Sequence, residues 1–151
     1  MARIIQALFS SKYSIHDLTR CTGEGEERLA RFNMPLELGM AMACRELSRS
    51  RAKKHDWMVL VPEGHRYLQF VSDLGAFDPH THDGKVESVV AKVMAWLLFR
   101  PDAEIRTATP QAVVSALPVF SVRKQELGVQ WIGAAPWNLV VRAAAETVPQ
   151  V

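Results

Sequence analysis

The sequence predicts an α/β domain, a small parallel sheet flanked by helices, with a helical C-terminal appendage. Three observations predict it. Two strand-like runs, YSIHDL and DWMVLV, are separated by a segment with helical spacing, and that order implies parallel pairing through a crossover helix. The second run is apolar at nearly every position, as suits a strand covered on both faces by helices. The final segments carry only helical patterns, and 151 residues at 48% hydrophobic content suffice for one substantial core.

The elements follow in order. Residues 2–10 place Ile4, Ile5, Leu8 and Phe9 at helical spacing, a short amphipathic helix that turns at Ser10-Ser11. Residues 13–18 read as a strand whose alternation is imperfect because both faces are covered. The polar, glycine-containing TRCTGEGEERLAR of 19–31 reads as a mobile surface loop, placed as a lid over whatever the strand leads to. Asn33 then caps a helix expected over 34–49. Pro35 suits its first turn, and Leu36, Met40, Ala43, Cys44 and Leu47 recur at three- and four-residue intervals. The basic RSRAKKHD leads to a central strand over 56–61, ended by proline. A helix over 66–71, an irregular DLGAFDPHTHDG loop and a helix over 86–99 follow. Helical segments near 110–116, 119–127 and 137–147 close the chain. RTATPQ reads as a short linker, which puts the α/β domain at 1–106 and a helical extension, packed on the same domain, at 107–151.

Charge narrows the partners. Eighteen Lys and Arg against sixteen Asp and Glu leave a net charge of +2, too weak a field to hold nucleic acid or an acidic membrane, so neither is expected as a partner. Cys21 and Cys44 lack metal-ligand spacing and fit a reducing compartment. The opening MARIIQALFSSKY is too short an apolar stretch to cross a bilayer and lacks a secretory cleavage pattern; the expected location is cytoplasmic.

In open parallel sheets, ligands bind outside the carboxyl ends of the strands, so the segments after Leu18 and Val61 are the places to search. ARFNMPLELGMAMA puts Asn33, Glu37 and Gly39 at the start of a helix, where unpaired amide donors and the helix dipole favour an acid. SIHDLTR followed at an interval by RFNMPLELGMAMA resembles the strand-Asp and N-x-x-x-E-L-G-x-A pattern of TIR-like and nucleoside 2-deoxyribosyltransferase-like proteins; RYLQFVSDLGAFDPHTHDG resembles a segment of their uncharacterised bacterial relatives. Together these stretches cover roughly residues 13–98. The resemblance implies a Rossmann-like or flavodoxin-like sheet and N-glycosidic cleavage or transfer on a nucleoside or NAD, with NAD as a substrate and no cofactor. Glu37 would be the nucleophile or the stabiliser of an oxocarbenium-like centre, Asp17 would orient the sugar or base, and Asn33 would hydrogen-bond the ligand. The same resemblance allows a second role, a non-catalytic module that senses a nucleotide or mediates assembly in bacterial defence or signalling. Members of the group begin with a strand and a Gly- or Ser-containing loop, whereas this chain begins with a helix. The expectation is therefore that the first β-α unit is missing and that an unpaired sheet edge favours a homo-oligomer.

Plainer readings exist for the same residues. Glu37 also suits a solvent-facing helix start, Asp17 a strand terminator, and Asn33 a helix cap alone. His80 and His82, flanked by Asp78 and Asp83, have the side chains of a metal site, but a polar loop capping the next helix explains the same residues better, and no metal is expected. His16 is either a general acid or base beside Asp17 or a buried, hydrogen-bonded histidine. Arg49, Arg51, Lys53 and Lys54 fit a solvated helix end, and the four tryptophans fit core packing.

Overall fold

The computed structural model describes residues 2–21, 33–48, 54–64, 66–69, 72, 77–101, 103, 108–131 and 135–147. Most of the 19–31 loop, the basic residues 49–53, the end of the 66–71 segment and most of the RTATPQ linker lie outside them. The chain divides into two compact units, Met1–Lys85 and Val86–Val151.

In the first unit, α1 (Ala2–Ser10), β1 (Tyr13–Asp17), α2 (Asn33–Leu47), β2 (Asp56–Pro62), a 3-10 turn (Arg66–Gln69) and β3 (His80–His82) follow one another. The three strands form a parallel sheet in the order β1-β2-β3. This is the α/β architecture, a small parallel sheet with helices. β2 is central, and its Met58, Val59, Leu60 and Val61 are all at most 2% exposed, which is why that run is apolar without alternation. β3 falls inside the segment expected to be irregular. His80-Thr81-His82 has no apolar pattern; backbone pairing with Leu60–Pro62 makes it a strand.

The register fixes which face each residue takes. Ser14 pairs with Trp57, His16 with Val59 and Asp17 with Leu60, and paired residues in a parallel sheet share a face. Leu38 of α2 clusters with Val59, Val61, Leu18, Cys21 and Tyr67, so α2 covers the face of Ser14 and His16. The helix packs by a different stripe from the one expected. Leu38, Ala41 and Cys44 are buried, whereas Leu36 and Leu47 are 50% and 76% exposed. α2 is apolar around much of its circumference, so more than one stripe satisfies helical spacing and the sheet chooses between them. A second cluster, Leu8, Ala41 and Cys44 with Ile4, joins α1 to α2, and an Arg45–Asp56 ion pair ties the end of α2 to the start of β2.

In the second unit, α3 (Val86–Leu98) and α5 (Trp137–Thr147) each pack against α4 (Pro110–Gln130). The Thr109 hydroxyl caps α4 by accepting from the Ala112 amide. The two segments expected at 110–116 and 119–127 are one helix that continues through Pro118. Proline there forfeits one hydrogen bond, and packing on two neighbouring helices outweighs that loss. Trp96 is buried beneath the Arg100 guanidinium, 4.4 Å from its ring, whereas Trp131 and Trp137 are exposed. No helix among the described residues is long and apolar enough to cross a membrane.

Candidate functional site

The β1–α2–β2 crossover dictates where a site can form. A helix joining two parallel strands starts where the first strand ends, so the start of α2 and the last residues of β1 and β3 share the carboxyl edge of the sheet. Asn33, Glu37, Asp17 and His82 all belong to that edge.

Glu37 is not where the first-turn argument placed it. The helix opens at Asn33, its first turn holds no acid, and Glu37 stands in the second, where the dipole acts less. Its position on the helix is more informative: Glu37, Ala41 and Cys44 follow one another at four- and three-residue steps, so this half-buried acid lies on the stripe that faces the core. Asn33 is the exposed first residue of α2.

Asp17 lies on the other side of the sheet. The alternation that sends His16 beneath α2 sends Asp17 to the opposite face, where its Oδ1 accepts from the Thr19 amide at 2.9 Å and from the Thr19 hydroxyl. Glu37 and Asp17 therefore flank the carboxyl edge from its two faces instead of meeting. The strands run in sequence order, so among the described strands there is no reversal to open a crevice between them.

Thr19 and His82 complete a cluster around Asp17. The His82 Nε2 is 3.2 Å from the Thr19 hydroxyl and 3.7 Å from the Asp17 carboxylate. Gly84, at φ 81° in the left-handed region natural to glycine, donates its amide to Nδ1 of the same ring at 3.1 Å. The network assigns the protons: Nδ1 is an acceptor, so Nε2 carries hydrogen and donates to Thr19, which donates to Asp17. A hydrolytic nucleophile would pass its proton to the imidazole; here the order is reversed, so the cluster positions Asp17 and does not activate Thr19. Both nitrogens of His82 are engaged, and the described residues contain no group of three or more metal-ligating side chains. Cys21, buried beneath the same turn, has its thiol pKa raised by burial and by the nearby Asp17 charge.

Composition and periodicity give no weight to Thr19, yet the Asp-x-Thr spacing after a strand is the signal for such a turn. Replacing it tests the cluster. Thr19→Val keeps the shape, deprives the 3%-exposed His82 ring of its nearest acceptor and is expected to cost about 1–3 kcal/mol of unfolding free energy in urea titration. An unchanged midpoint would mean that the ring does not depend on Thr19.

A hollow of about 260 Å³ lies in the second unit between α4 and α5, with Arg123, Gln130, Arg142 and Glu146 among its lining. Its two guanidiniums are committed to Glu146, whose carboxyl is held below its ordinary pKa chiefly by the Arg142 hydrogen bond. None of the expected site residues lines it. No protein family, curated protein or solved structure matches this chain.

Proposed function

We propose that the carboxyl edge of the sheet binds a nucleoside or NAD and that Glu37 acts on its N-glycosidic bond. The observation that carries this reading is the place of Glu37, a half-buried carboxylate on the inward stripe of α2, at the end of the helix beside the strand termini. A fixed negative charge shielded from water is what a developing oxocarbenium-like centre gains most from. As nucleophile, Glu37 forms a bond to the anomeric carbon while the bond to the base nitrogen breaks and its electron pair leaves with the base. Water or a second base then displaces the carboxylate, giving hydrolysis or transfer. Asp17 uses Oδ1 for Thr19, so its second oxygen can accept from a sugar hydroxyl, and the Asn33 amide can reach the ligand from the helix start.

A second reading is a non-catalytic nucleotide-sensing or assembly module of the same fold. Its support is that Asp17 leaves the face of the sheet opposite the one that α2, with Glu37, covers, an arrangement that suits gripping a ligand across an edge better than working jointly on one bond. Both readings share the binding site and can be tested together. Titration of isotope-labelled protein with NAD and with a set of nucleosides is expected to shift the amide resonances of Thr19, Glu37 and Gly84 selectively. Shifts confined to α4 and α5, or none with any of these compounds, would remove the site from the carboxyl edge.

A further inference from the structure

The opposite, amino end of the sheet carries a second polar cluster. Ser14 on β1 holds its Oγ 2.8 Å from the Nε2 of His16 and 2.8 Å from the Nε2 of His55, and the Nδ1 of His55 is 2.9 Å from the Ser11 carbonyl oxygen. Both imidazoles are almost fully buried, at 3% and 4% exposed. We propose that His16, Ser14 and His55 form an acid-sensitive latch, which ties the α1–β1 turn to the start of β2 and releases it as the pH falls below the ordinary histidine range.

The proton order leaves the cluster one neutral state. A carbonyl only accepts, so His55 carries its hydrogen on Nδ1 and presents a bare Nε2. Ser14 donates its single proton to that nitrogen and must accept on its other side, from the Nε2 hydrogen of His16. Each donor meets one acceptor. A further proton on His16 would place a cation beneath α2, beside a second imidazole.

The surroundings offer such a charge no relief. Asp17 and Tyr13 leave β1 on the opposite face, and Asp56 is held by Arg45 of α2. Lys12 sits over the Tyr13 ring, and Glu37 and Cys44 occupy the inward stripe of α2. Among the described residues, neither imidazole has a carboxylate within ion-pair distance, and no described side chain of α1 is ionisable. Burial first, and the neighbouring His55 second, push the His16 pKa down from 6.5 to about 4.

The direction follows from proton linkage. Once released, His16 takes up a proton near 6.5, whereas in the latch it does so near 4, so between these values the open form binds more protons and acid favours opening. Above 6.5 the latch keeps its full strength. Through the window the opening equilibrium shifts tenfold per pH unit, about 300-fold in full. The adjoining bond from the Asp56 amide to the Lys12 carbonyl, 2.9 Å, would open with it, while the carboxyl half of the sheet is held separately by β2–β3 pairing. The inference is independent of what the other edge binds.

Site-resolved hydrogen exchange, with protection factors corrected for intrinsic rates, tests it. Between pH 7.5 and 5.0, protection around Ser14 and Asp56 is expected to fall about 30-fold while that of Val61 changes far less. His16→Gln, which keeps an N–H toward Ser14 but takes no proton, is expected to abolish this dependence. Should that variant not fold, the C2 proton of His16 in the unaltered protein is expected to show no titration above pH 5. A uniform loss of protection across the unit, an undiminished pH effect in His16→Gln, or a His16 midpoint near 6.5 would each overturn the proposal.

Discussion

Leu38→Ala is expected to lower the unfolding free energy of the sheet-containing unit by about 2–5 kcal/mol, the range found when a buried leucine is cut back and its neighbours close in only partly. Leu38 is 2% exposed and lies among Leu18, Cys21, Val59, Val61 and Tyr67, so the lost methyls leave a gap between helix and sheet. Leu47→Ala, at a position 76% exposed, is the control, expected to stay within about 0.5 kcal/mol. Urea unfolding followed by circular dichroism reads both. The pair separates the helix face expected from spacing, which holds Leu47, from the face the sheet selects, which holds Leu38. A large effect at Leu47 and a small one at Leu38 would mean that α2 is rotated about its axis.

That difference shows how much of the fold is legible beforehand. The DWMVLV run declares a buried central strand because burial on both faces demands apolar residues throughout, and the helices over 86–98 and 137–147 are likewise readable from spacing; YSIHD is a strand as expected, but not one covered on both faces, since Ile15 is 44% exposed. β3 is not readable, because three residues rich in histidine carry no pattern of their own and become a strand only when β2 supplies a partner. The continuity of α4 through Pro118 is also hidden, since only tertiary packing can outweigh a proline within a helix.

The candidate site is legible to the same partial degree. Glu37 and Asp17 stand out as acids placed after a strand, but which face each takes depends on register, a property of two strands together. Thr19 and His82 are joined across 63 positions of chain, and no local spacing reports such a pairing. His16 has the two readings of catalyst and buried histidine; its 3% exposure and its bond to Ser14 favour the buried one.

Glu37→Gln carries the second large effect. If the carboxylate stabilises positive charge on the sugar, an amide of the same shape keeps the packing and removes the charge. Base release should then fall at least about 100-fold, a barrier increase of about 2.7 kcal/mol. Little change in stability is expected, because Glu37 is only half buried and, among the described residues, makes no side-chain hydrogen bond or ion pair. Equal losses of activity and stability would instead mark it as a packing residue.

The most direct measurement is chromatographic assay of free base after incubating the unaltered protein and Glu37→Gln with NAD and with a set of purine and pyrimidine nucleosides. The account predicts release by the unaltered protein and at least a hundredfold less by the folded variant. Equal release by both, or none by either from any of these compounds, would contradict it.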